Sequence, residues 1–132
     1  MQRITVDGHY PVWVEEIAKA DTPWHDVDEV AAALSAGIRH QAGVALIGVF
    51  DHYGLNLRVG ASLPLDMQDA KMVLFCPGAR LLRPEGVALC PRAIGVADMG
   101  NRFVISFLEA ATAASTETLA LWVEELRATH IA

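Results

Sequence analysis

Residues 44–50, VALIGVF, form a run without a charged or strongly polar side chain, closed by Gly43 on one side and Asp51 on the other. The run is too short for a helix of ordinary length and is rich in residues that suit a strand, so it reads as a largely buried strand. The uncharged stretch containing it, Ala42 to Phe50, falls far short of the roughly 20 residues needed to cross a bilayer. The chain must therefore bury this segment in a protein core.

Around it, strand-type runs alternate with two helical ones. Val12 and Val14 alternate with Trp13 and Glu15 in a strand running to Ile17, and Arg3 to Val6 precede it across the turn-forming Asp7-Gly8. Val27, Val30, Leu34 and Ile38 recur at helical spacing behind Asp26, which with Glu29 makes a capping-box-like start, and Gly43 ends that helix. LNLRVG, residues 55–60, alternates and is expected to return as a strand antiparallel to VALIGVF across Gly54. KMVLFC, residues 71–76, is a further strand stopped by Pro77-Gly78. Residues 79–91, broken by Pro84, Gly86 and Pro91, are expected to form an ordered loop with one short helix.

RAIGVAD and RFVISFL flank Met99-Gly100-Asn101 as a hairpin, and a last helix capped at Ser115 or Thr116 carries Leu119, Trp122, Val123 and Leu126 on one face. This order predicts an α+β fold, strand-helix-four strands-helix, in which a curved antiparallel sheet has two main helices packed on one face. The sheet's other face is then wet or covered by a second subunit.

The length of 132 residues suits one domain over residues 1–132. A hydrophobic fraction of 53% and a mean hydropathy of +0.31 are high for so small a chain to hide alone, which predicts a homodimer. The opening residues MQRITVDGHY place polar and acidic side chains where a secretion signal would be apolar. A cytoplasmic protein is expected, with Cys76 and Cys90 as free thiols. The net charge is −6, although the segment from Arg58 to Arg102 is locally +2. An acidic whole argues against nucleic acid as a partner.

Asp51, His52 and Tyr53 stand where a strand meets a turn. In an alternating strand Asp51 and Tyr53 share one face and His52 the other, so they do not converge as a triad without a bulge. Asp51 is expected to satisfy turn amides, while His52 and Tyr53 are candidates for ligand contacts in a cleft. Cys76 and Cys90, each followed by proline and separated by thirteen residues, have neither the spacing of a redox motif nor that of a zinc site. Their Cys-Pro dipeptides resemble short haem-binding motifs. Arg80 or Arg92 beside Cys76 would favour its thiolate. The five histidines lack helical metal-site pairing, and phosphate loops, nucleophile elbows and paired-carboxylate signatures are missing.

The segments FDHY (50–53), DAKMVLFCPG (69–78), PRAIGVAD (91–98) and FVISFLEA (103–110) resemble domain of unknown function 6858, over about Tyr10 to Trp122. More distantly, a helix, a strand ending in Asp-His, a strand ending near Pro-Gly and a closing hairpin are similar to domain of unknown function 302. That likeness implies the strand-helix-four strands-helix fold and dimers, and it implies no cofactor, activity or catalytic residue. The chain has CPG at a strand end where the wider family reads Gly-Asn-Pro.

Two functional readings stand. One is a dimeric small-ligand-binding or interaction module with His52, Tyr53, Cys76 and Arg92 as polar contacts. The other is a thiol-based enzyme, or a redox or haem sensor, with Cys76 as thiolate and His52 as its base.

Overall fold

The computed structural model describes residues 1–78 and 82–127. Its strands are β1 (Gln2–Val6), β2 (Tyr10–Ala18), β3 (Val44–Phe50), β4 (Asp69–Pro77), β5 (Arg92–Asp98) and β6 (Arg102–Leu108). Its helices are α1 (Val27–Arg39), α2 (His52–Arg58) and α3 (Ala113–Glu124). All six strands join one antiparallel sheet in the order β1-β2-β6-β5-β4-β3. The expected α+β architecture, with helices packed on one sheet face, is the one observed.

α1 starts where the capping pattern placed it. The Asp26 carboxylate accepts from the Glu29 amide at 2.8 Å, and Val27, Val30, Leu34 and Ile38 are all buried to within 1% exposure. This stripe packs over β3, β4 and β5. α3 buries Leu119, Trp122 and Val123, and the Trp122 ring meets Phe75 edge-on at 5.6 Å. The α3 cap is Thr112, earlier than expected. Its hydroxyl accepts from the Ser115 amide at 3.1 Å, whereas Thr116 is already inside the helix and its hydroxyl accepts from the Ala110 amide.

LNLRVG is the main correction. It does not extend as a strand; most of it lies in α2, which runs to Arg58. The cause lies upstream of the alternating pattern. Asp51 turns its carboxylate onto the Gly54 amide at 2.9 Å, and Asn56 donates to the His52 carbonyl at 2.8 Å. These local bonds satisfy a helical first turn before a strand can pair. β3 pairs instead with β4, from Val44 opposite Pro77 to Phe50 opposite Met72. A bulge between Leu46 and Gly48 disturbs the edge strand, a feature that discourages another strand from adding there.

Residues 79–81 fall outside the described residues; in the rest of that loop the expected short helix is a 3-10 turn at Pro84–Leu89. The β5–β6 hairpin forms around Met99-Gly100-Asn101 as anticipated, with Gly100 at a positive φ of 95°. Asp98 fastens it, accepting from the Gly100 amide at 2.8 Å and pairing with Lys19 at 2.9 Å.

The expectation of free thiols is overturned. Cys76 and Cys90 form a disulfide across a Cα separation of 5.8 Å, inside the bridging range. Spacing along the chain hid this. The β4–β5 register sets Phe75 opposite Arg92, which brings the residues just beyond that pair together at one end of the ladder. None of the described helices is long and apolar enough to cross a membrane.

Candidate functional site

The β-ladder divides the sheet's side chains into two sets, because directly paired residues project to the same face. Val73, Phe75, Ile94, Val96, Phe103 and Ile105 project toward the helices and are 0–3% exposed. The alternate positions project to the opposite, open face. Val12, Val14, Met72, Leu74 and Val104 are half-buried there, and Leu108 is 47% exposed. Small side chains, Ala93, Gly95, Ala97 and Ser106, occupy its centre. Among the described strand positions of this face the charges are Glu16 and Arg102, which pair with each other at 2.7 Å.

The four residues singled out from sequence do not form one site. His52 and Tyr53 lie in the first turn of α2, beyond the end of β3 that meets Met72. The His52 ring stands edge-on to Phe50 at 6.2 Å, and its Nδ1 contacts the Asn56 amide nitrogen at 2.9 Å. Cys76 pairs with Ala45 at the other end of β3. Four strand residues, about 13 Å at the usual rise, separate the Met72 and Cys76 positions. His52 therefore cannot serve Cys76 as a base, and the Cys76 sulfur is already bonded to Cys90.

Arg92 projects to the helix-covered side with Phe75. Its guanidinium donates to the Leu108 carbonyl at 2.8 Å and the Glu109 carbonyl at 3.3 Å, which ties the end of β6 to the start of β5. It does not approach the thiols from the open face. Arg80 lies outside the described residues.

Asp51 has the role expected of it. The Gly54 amide, and secondarily the Lys71 ammonium at 3.5 Å, hold its carboxyl below the ordinary aspartate range. Lys71 also reaches Asp28 of α1 at 3.8 Å, so one cation links the starts of two helices to β4.

A groove of about 660 Å³ opens elsewhere, between the end of β6 and α3. Trp13, Ala110, Thr116 and Ala120 line it, with Glu109 and Glu124 at its walls. The indole of Trp13 donates to Glu109 at 3.1 Å, and Arg3 reaches the same carboxylate at 2.9 Å. Those two donors, Arg3 first, keep the Glu109 carboxyl below its ordinary range. Sequence reading missed this groove because Trp13 and Glu109 are 96 positions apart. Among the described residues no group of three or more His, Cys, Asp or Glu is arranged to hold a metal ion.

A six-stranded antiparallel sheet, helices on one face and a nearly uncharged second face together define an α+β domain. The chain belongs to the family of unknown function DUF6858, whose model matches residues 1–128. Among solved structures it is similar to the uncharacterized conserved protein DUF302 from Bacillus stearothermophilus, with a TM-score of 0.66 and 12% sequence identity. That alignment covers 88% of this chain and 98% of the other. At such identity the likeness is one of fold. No curated protein matches the chain.

Proposed function

We propose that this protein is a cytoplasmic interaction module that works as a homodimer, two copies packing their open sheet faces together. The observation that carries this reading is the chemistry of that face: apart from Gln2 and Tyr10 near its β1 edge, its uncharged strand positions are apolar or small, and its Glu16 and Arg102 neutralise each other within the chain. A surface turned to water would carry charge at alternate strand positions. The flat centre of Ala93, Gly95, Ala97 and Ser106 suits a second sheet at about 10 Å.

A second copy is the occupant favoured by symmetry and size. A two-fold contact places each patch against itself, and a neutral apolar patch meets its own image without like-charge repulsion. Six strands at ~4.8 Å and a strand length of ~23 Å give a face of roughly 600 Å² before side-chain relief, close to the ~800 Å² that each partner contributes to a stable interface. Sedimentation of the full chain tests the reading. A dimer at micromolar concentration is expected, and Val104→Glu should convert it to a folded monomer. A wild-type chain sedimenting at 14.2 kDa across the micromolar range overturns it.

The groove beside Trp13 favours a second reading, a small-ligand site, because its volume of about 660 Å³ lies within the ordinary span of ligand pockets. A thermal-shift screen of small metabolites tests it. A genuine occupant raises the melting temperature of the wild type and not of Ala120→Trp, which fills the groove.

A further inference from the structure

We propose that Gly95 is the point at which a second copy of this chain comes closest to the open sheet face, the partner's backbone closing on a position that the chain itself leaves empty. The inference rests on the homodimer reading and says where that contact is tightest. One register row crosses the whole open face: Phe50, Met72, Gly95, Ser106, Val14 and Gln2 lie side by side on β3, β4, β5, β6, β2 and β1. Gly95 and Ser106 are its middle pair, on the two central strands of the six, and Gly95 is also the midpoint of β5. Larger side chains, Met72 and Val14, stand on either side of the pair. The face therefore dips at its centre.

Nothing within the chain asks for a glycine there. Gly100 sits at a positive φ that favours glycine, whereas Gly95 does not. An alanine methyl at position 95 would meet the Ser106 hydroxyl at 3.5 Å and the Ser106 carbonyl oxygen at 3.8 Å, both ordinary contacts. No atom of Met72, its partner on β4, would lie within 4 Å of that methyl. A glycine in the middle of a strand is less stable than an alanine, because it orders a freer backbone and packs no side chain. The position that gives up this stability has room for the methyl, so the reason for the glycine lies outside the chain. Strand glycines mark places where another backbone or a ligand approaches closely.

A second copy fits that requirement. A two-fold contact that uses the whole open face lies over the centre of the sheet, so the small middle pair of one copy faces the same small pair of the other. Without side chains to hold them apart, the two backbones come nearer there than the usual ~10 Å between packed sheets. Met72 and Val14 of each copy then pack around the point of closest approach. The charged pair of the face stays clear of it, Glu16 lying two residues along β2 from Val14 and Arg102 four residues along β6 from Ser106. The tightest part of the contact thus desolvates no charge.

Gly95→Ala, made in the full chain, separates a glycine kept for the fold from one kept for the contact, since the two roles move different readouts. In the wild-type background, sedimentation should show the dimer dissociation constant raised at least about fivefold, the lower end of what an extra methyl costs in a filled space. In the Val104→Glu background, where the chain is expected to be a folded monomer, the same methyl should leave the melting temperature unchanged or raise it. A change under about fivefold in a chain that does dimerise overturns the inference and leaves the homodimer reading standing. A lower melting temperature in the Val104→Glu background also overturns it, because the glycine then serves the fold. A wild-type chain that stays monomeric across the micromolar range removes the homodimer reading and this contact with it.

Discussion

The two faces of the sheet are made by the same strands from alternate residues, yet they solve different problems. The covered face is filled with large aliphatic and aromatic side chains excluded from water, and charged groups ring it: Glu15 with Arg127 at 2.7 Å, Lys19 with Asp98, Lys71 with Asp51, and Arg92 on two carbonyls. Those charges mark where protein ends and water begins. The open face has small residues at its centre and a single self-neutralised pair, so the matching boundary is missing there. Charge placement distinguishes the covered core face from the open face more clearly than hydrophobicity does, because both faces are apolar.

The widest contrast comes from neighbours on β6. Phe103 is fully buried, and Phe103→Ala should cost about 3–5 kcal/mol in denaturant unfolding, the usual loss for an emptied aromatic site. Val104, one residue on, faces the open side, and Val104→Ala should cost under about 1.5 kcal/mol in dilute protein. If a second copy covers that face, the penalty for Val104→Ala grows with protein concentration, since association stabilises the folded state by mass action. A concentration-independent penalty would break the contrast.

A smaller effect concerns the rim. Burial pushes the Glu15 carboxyl upward, but hydrogen bonds from Arg127 and the Met1 ammonium together outweigh it and leave it below the ordinary 4.5. The unfolded chain therefore takes up a proton at higher pH than the folded one. The stabilisation is present above about pH 4.5 and is lost as the pH falls through the depressed folded value. Thermal unfolding from pH 6 to 3 should show a steeper loss for the wild type than for Glu15→Gln, and parallel curves would remove Glu15 from that rim. The smallest effect is expected for Asp51→Ala. It should speed hydrogen exchange at the Gly54 amide far more than at the β4 amides, because the cap bond at 2.9 Å closes the first turn of α2, while Lys71 of β4 keeps its contact with Asp28 when the one to Asp51 is lost.

Much of the fold was legible in the sequence where local and tertiary demands agree. Val27, Val30, Leu34 and Ile38 are both the amphipathic stripe and the buried stripe. The Met99-Gly100-Asn101 turn followed from turn chemistry that needs no distant partner. LNLRVG misled because its alternation is real while the decision is made upstream, where the Asp51 carboxylate reaches the Gly54 amide. The grouping of His52, Tyr53, Cys76 and Arg92 was not legible. Closeness in a sheet depends on register, and register places His52 and Cys76 at opposite ends of β3 and turns Arg92 to the face away from Cys76.

By itself the sequence determined the α+β class, the helix stripes, the β5–β6 hairpin and the capping role of Asp51, because each follows from the period of apolar residues or from hydrogen bonds that span a few positions. Only the tertiary structure decided that β3 pairs with β4, that Cys76 meets Cys90, that Trp13 meets Glu109, and that one sheet face is left almost without charge. Those outcomes depend on which strands lie side by side, and strand pairing is settled by the burial of the whole sheet rather than by any one segment.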